Sequence, residues 1–187
     1  MICNRSNRLQ GLITVRLRPL RTEPVGLDLV DTVWIDNATL VDQFDDLDGV
    51  RAWLADHDLP GGGDPDRARD PLVQARDAMR ALLERGEAAP LNAVLAHGAR
   101  RPQLSGAEPY EVVVLDDPAW HAAWVAAADL ARVLGERPER VRKCANPRCV
   151  LWFYDVSKNG GRRWCSMDVC GNRAKVGRFN QRQRVRS

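Results

Sequence analysis

The sequence predicts an α+β chain in two parts: a mainly helical amino-terminal body with a small β element, and a compact cysteine-rich ribbon ending in a basic helix. Three observations carry this expectation. Apolar residues recur at helical spacing through most of residues 27–134, one β-branched run at 110–115 reads as strand, and four of the five cysteines fall within residues 144–170. With 187 residues, 44% hydrophobic and 28% charged, the chain is long enough for a buried core and too apolar for wholesale disorder. No apolar run approaches the roughly 20 residues that cross a bilayer. The stretch Leu12-Ile13-Thr14-Val15, closed by Arg16 and Arg18, is too short for a secretory segment, so a cytoplasmic protein is expected.

Residues 1–22 show no sustained period and read as a leader, disordered or outside the native start; Cys3 within it has no obvious partner. Residues 27–34 read as a short core helix with Asp28 and Asp31 at i, i+3. Val50, Trp53 and Leu54 place a second helix over 47–56, and the Pro/Gly-rich 60–65 marks a loop. Asp70 followed by Pro71 reads as an N-cap and first helical position, with Leu72, Ala75, Met79, Leu82 and Leu83 on one face and Gly86 at the end. Leu91, Val94 and Leu95 make a short helix after Pro90. The 110–115 strand pairs with the segment around Gln103 and Leu104. Asp117-Pro118 then opens the strongest helix, whose seam is Trp120, Trp124, Ala127, Leu130, Ala131 and Leu134. The expected organisation is a leader at 1–22, a helical domain at 23–136 and a cysteine module at 137–187.

The net charge of +3 conceals a gradient. Residues 1–21 hold five arginines and no acid; residues 22–136 hold 9 bases against 22 acids, a balance of −13; residues 137–187 hold 14 bases against 3 acids, a balance of +11. An acidic body joined to a basic module is the pattern of a polyanion-binding protein; a solvated charged face is the plainer alternative. The body offers little chemistry. His57, His97 and His121 are scattered, without metal-ligand spacing or a neighbouring nucleophile, so no enzyme is expected. Trp34, Trp53, Trp120 and Trp124 belong to the core or line a pocket for a small apolar ligand.

The cysteines follow the pattern Cys144-x4-Cys149-x15-Cys165-x4-Cys170. Two matched pairs joined by a ribbon suit one tetrahedral Zn²⁺ with four thiolates at about 2.3 Å. Disulfides would need an oxidising compartment, an iron–sulfur cluster lacks its usual C-x2-C-x2-C run, and chance clustering of buried cysteines is the remaining alternative. With no ligand position left open, the ion would be structural. Residues 150–154 are strand-like, Asn159-Gly160-Gly161 turns the chain, and Ser166 caps the helix that carries Cys170. The −2 charge of a zinc tetrathiolate gives Lys143, Arg148, Arg162, Arg163 and Arg173 a purely structural reading. A module this small needs its metal, worth roughly 10–16 kcal/mol in small fingers. Chelation is expected to unfold it and leave the body standing.

At Cys170-Gly171-Asn172-Arg173-Ala174-Lys175, preceded by Arg163-Trp164-Cys165-Ser166-Met167, the sequence resembles the CGNR zinc-finger family; Arg142-Lys143-Cys144-Ala145-Asn146-Pro147 and the Asp155, Ser157, Asn159 set match the same family. Leu27-Asp28-Leu29-Val30-Asp31-Thr32 resembles the start of the ABATE domain that usually precedes this finger, with Asp31 where that family often has Asn. The resemblance implies a treble-clef-like, four-cysteine module holding one structural Zn²⁺ and a bacterial, stress-linked transcription regulator.

Residues 168–186 read as one basic helix. Its arginines suit guanine and phosphate, and its amides suit adenine, in a major groove. The expected nucleic-acid contacts are Arg162, Arg163, Asn172, Arg173, Lys175, Arg178 and Arg182. The rival reading lays this helix on the acidic body of its own chain or of a partner subunit. The expected function is therefore a DNA-binding regulator whose body senses a signal or forms a homodimer, with RNA fitting the same charge pattern. The competing function is a small-molecule-binding or protein-interaction protein whose zinc module is purely structural.

Overall fold

The computed structural model describes residues 18–59 and 64–175. Helix α1 (Val25–Val30) lies at the centre, its residues from Gly26 onward all buried. The 27–34 helix expected from sequence stops early. Thr32 Oγ1 folds back onto the Leu29 carbonyl at 2.8 Å, and the β-branched run that follows enters strand β1 (Val33–Asp36). Strand β1 pairs antiparallel with β2 (Thr39–Asp42), Trp34 opposite Val41, through a turn whose Asn37 and Ala38 both have positive φ, 46° and 67°. Two left-handed residues match the twist of a hairpin, which is what Asn37 supplies and Ala38 tolerates at a cost.

Helix α2 (Leu47–Asp56) follows the sequence reading and is capped by Asp46, whose carboxylate accepts the Gly49 N–H at 2.7 Å. Helix α3 (Pro65–Arg85) begins six residues before its expected start. Asp64-Pro65 carries the same cap-then-proline signal as Asp70-Pro71, and it is the Asp64 carboxylate that accepts a first-turn N–H, from Asp66 at 3.1 Å. Pro71 is left inside the helix, its ring buried. Gly86 ends α3 in the left-handed conformation at φ 75°. Helix α4 (Ala89–Leu95) leads into the ribbon β3 (Gly98–Ser105) and β4 (Glu108–Leu115), and α5 (His121–Glu136) closes the body.

Small residues on α5 let the helices approach closely. Ala123, Ala126 and Ala127 are fully buried, and a Cβ at Gly26 of α1 would lie 2.7 Å from both the Ala126 carbonyl and the Leu130 Cβ. The core around them joins Leu27, Val30, Phe44, Trp53, Leu72, Met79 and Leu130, each side chain worth about 1.5–3 kcal/mol by burial. Arginines of α3 satisfy what the short helix leaves open: Arg80 donates to the Val30 and Val33 carbonyls, and buried Arg76 grips Asp42 with two 2.6 Å bonds.

The leader expected over 1–22 is not all outside the fold. Arg18 is buried against Asp28 at 2.6 Å, and Leu20 packs on a second cluster. Residues 1–17, including Cys3, lie outside the described residues, as do the four at 60–63. The carboxy-terminal module has its own ribbon, β5 (Val141–Lys143) against β6 (Trp152–Tyr154), and among the described residues it shares its buried side chains with the body. Trp152 joins the body's cluster, while Trp34 and Val41 of the body join Leu151, Phe153 and three cysteines in the second.

Candidate metal centre

The first pair of cysteines sits on a turn set by Asn146. Its carbonyl accepts the Cys149 N–H at 2.9 Å, its side-chain oxygen accepts the Arg148 N–H at 3.1 Å, and its amide donates to Cys170 Sγ at 3.3 Å. The second pair is brought back by Ala145 N–H to the Arg163 carbonyl, 2.8 Å, and by Cys165 N–H to Cys144 Sγ, 3.4 Å. Ser166 caps the following turn, accepting the Val169 N–H at 3.4 Å. That turn, Met167–Gly171, is π-helical rather than the α-helix read from sequence, and α-helical residues follow at 172–175. The wider π turn carries Cys170 inward, buried, while Met167 and Val169 face outward.

All four sulfurs lie within 4.8 Å of one another, with Cys149–Cys165 at 3.7 Å and Cys165–Cys170 at 3.6 Å. A tetrahedron with Zn–S bonds of about 2.3 Å has edges of about 3.8 Å, so this cage fits one zinc ion. The same spacings are far longer than an S–S bond of about 2.05 Å, and all four cysteines are free. Packed so tightly, the thiols cannot ionise together without a cation. Hydrogen bonds from Cys149 and Cys165 hold Cys144 down at about 2, whereas Cys149, beside the Cys144 sulfur, is pushed up to about 12, and Cys165, beside the sulfurs of Cys144 and Cys149, is raised as well. A divalent ion resolves that repulsion.

Asp155 organises the ribbon. It is fully buried and accepts from the Ser157 N–H at 2.9 Å, the Arg162 N–H at 2.9 Å and the Arg142 guanidinium at 3.3 Å. Burial opposes its charge, yet these bonds hold its carboxyl at about 2. Two body carboxylates clamp strand β6. Asp31 Oδ1 accepts the Trp152 N–H at 2.9 Å, and Glu23 accepts the Tyr154 N–H at 2.7 Å. Burial raises both groups, Asp31 well above the usual carboxylate range. Sequence reasoning did not reach these clamps, because nothing local marks a carboxylate whose partner lies 121 residues away.

The basic residues divide. Arg162 is half-buried. It donates to the Trp164 and Cys165 carbonyls, stacks on Phe153 at 4.3 Å and approaches Glu23 at 3.8 Å, so its donors serve the fold. Lys143 sits over Trp152 and pairs with Glu84 at 3.5 Å. Arg163 is exposed beside Trp164 at 5.4 Å, and Asn172 donates to the Asp168 carbonyl at 3.1 Å. Arg173 and Lys175 are exposed; Arg178 and Arg182 lie outside the described residues. The tryptophans of the body do not gather round one cavity: Trp53 is core, Trp34 faces the cysteine cluster, Trp124 bonds the Leu95 carbonyl, and Trp120 stacks on His97 at 3.7 Å. His57 bonds Asp28 at 2.8 Å and His97 bonds Asp116 at 2.9 Å. Among the described residues, no helix is long and apolar enough to cross a membrane.

No curated protein matches the chain. Two family models do: the CGNR zinc finger over residues 140–183, and ABATE, described as "Putative stress-induced transcription regulator", over residues 23–137. The four cysteines lie within the finger's match and are positioned to bind one metal ion, for which Zn²⁺ fits, and the ABATE match spans more than half of the residues. The chain belongs to the ABATE family and carries a CGNR zinc finger at its carboxy-terminal end.

Proposed function

We propose that this protein is a cytoplasmic, bacterial transcription regulator that binds DNA through its zinc module, performs no catalysis, and uses residues 23–136 to sense a signal or to dimerise. One observation carries the reading: beyond the cysteine cage the module keeps Arg148, Arg163, Arg173 and Lys175 exposed, and none is ion-paired to a carboxylate among the described residues. Cations left unpaired on a rigid support, within a stretch of +11, favour phosphate over self-association with the −13 body. Arg163, Arg173 and Lys175, continued by Arg178 and Arg182, form the contact set; Arg162 supports it from below. The ion, when bound, supplies charge neutralisation and a fixed geometry, while Asn146, Asp155 and Ser166 aim the chain on either side of it.

Titrating binding to random duplex DNA against salt tests this. The logarithm of the binding constant should fall against the logarithm of salt with a slope of about −4 to −6, near −0.9 per phosphate neutralised. A flat response, or no binding at about 50 mM salt, contradicts it. A second reading, a zinc module that is only a packing element of the body, is favoured by the cluster that Trp34 and Val41 share with the cysteines. It predicts zinc binding with no salt-dependent DNA affinity.

A further inference from the structure

The geometry points to the outer edge of β4 as a self-association surface: two copies of this chain join β4 to β4 across a two-fold axis, making one four-stranded antiparallel sheet. This deepens the dimerisation part of the proposed function and rests on none of its nucleic-acid part. The β3–β4 ribbon is a two-stranded sheet of eight residues per strand, mostly exposed, with a free edge on both sides among the described residues. Such a ribbon is marginal on its own; its base at Gly98 and Arg100 packs on Trp124 of α5, and a further strand would steady the rest.

Its two edges differ. The two-residue turn at Gly106 closes on Ser105 and Glu108, so ladder bonds fall on alternate pairs: Gln103 with Tyr110, Arg101 with Val112, Ala99 with Val114. The residues between them turn their backbone groups outward. Pro102 and Pro109 both fall in that outward set, where a missing N–H costs the ladder nothing. Pro102 blunts the middle of the β3 edge, whereas Pro109 removes only the first donor from β4. Glu111, Val113 and Leu115 keep outward N–H groups that meet no other element among the described residues. An unprotected edge of consecutive valines is one that natural proteins otherwise block.

The edge is complementary to itself. Placing Val113 opposite Val113 of the second copy sets Glu111 against Leu115 and Val112 against Val114. Every outward donor is used, and no like charges oppose. Tyr110 and Val114, 45% and 39% exposed, then share one face as diagonal neighbours. The body as a whole would repel its copy, but the ribbon's Arg100, Arg101, Glu108 and Glu111 cancel, leaving a neutral strip for the contact. A two-fold pairing needs only this one surface. It is small, so the dimer is reversible.

Sedimentation equilibrium of the full zinc-loaded chain, without DNA, from roughly 10 to 500 μM decides the matter. The mass should rise from 20.9 kDa toward twice that value. Val113→Pro removes an outward donor and should weaken association at least tenfold; Val114→Lys, which places a cation beside the partner strand, should do the same with zinc content and circular dichroism unchanged. If Val113→Pro misfolds, Val114→Lys alone decides. A wild-type chain that stays at 20.9 kDa throughout overturns the proposal, and if the Glu111, Val113 and Leu115 amides are then protected from exchange, a segment of the same chain covers the edge. Dimers undiminished by either substitution overturn it as well.

Discussion

Replacing Trp34 by Ala should loosen the metal, although Trp34 lies 110 residues before the first cysteine ligand in sequence. Trp34 is 7% exposed and packs in one cluster with Val41, Leu151, Phe153, Cys144, Cys165 and Cys170. Truncating a buried tryptophan costs about 3–5 kcal/mol, because the void only partly collapses. If the ion leaves when this shared cluster opens, the lower end of that range speeds release about 100-fold, at roughly 1.4 kcal/mol per factor of ten. Zinc transfer to a chromophoric chelator in excess gives the rate directly. Leu104→Ala is the control, since Leu104 is 69% exposed on the far ribbon. Release from Trp34→Ala within twofold of the parent, at a stability lowered as expected, would refute the idea that body and module share a core. The same cluster bears on the expectation that chelation leaves the body standing: Trp34 and Val41 would lose part of their cover if the cage opened.

Asp31→Ala leaves the buried Trp152 N–H without an acceptor and should cost about 1–3 kcal/mol in urea unfolding, whereas Asp31→Asn keeps an oxygen there and should retain most of that stability. The pH dependences of two buried carboxyls run in opposite directions. Asp31, raised by burial, contributes most below the ordinary carboxylate pKa and loses that contribution as pH climbs through its own raised value, so Asp31→Asn should hold its urea midpoint better than the parent at pH 8. Asp155, held at about 2, stabilises fully above roughly pH 4 and ceases to as pH falls toward 2; Asp155→Asn should be weaker at neutral pH and lose less on acidification. Arg173→Ala with Lys175→Ala should reduce the salt slope of DNA binding by about 2 with one zinc retained. Arg162→Ala should instead speed zinc loss, because its guanidinium braces the Trp164 and Cys165 carbonyls.

The metal cage was legible because its chemistry is written locally: paired thiols at matched spacing, a turn at Asn146 and a cap at Ser166 are short-range signals. Helix α2, the β3–β4 pairing and the Gly86 stop were readable for the same reason. Start signals misled where two were present: Asp64-Pro65 and Asp70-Pro71 look alike, and only the capping bond separates them. The early end of α1 depends on Arg80 reaching from another helix to the Val30 carbonyl. The union of body and module was hidden in the same way, since it is built from Asp31, Glu23 and Trp34 meeting residues more than a hundred positions later. Charge counting gave the basic stretch its sign but could not distinguish Arg162, spent on carbonyls, from its exposed neighbour Arg163.

Metal analysis of the freshly purified chain, by elemental analysis beside native mass spectrometry, tests the central claim most directly. One zinc ion per chain, lost together when Cys144 and Cys165 are replaced by Ser, is the predicted result. A metal-free folded chain, or one whose four cysteines are joined in disulfides, would contradict it.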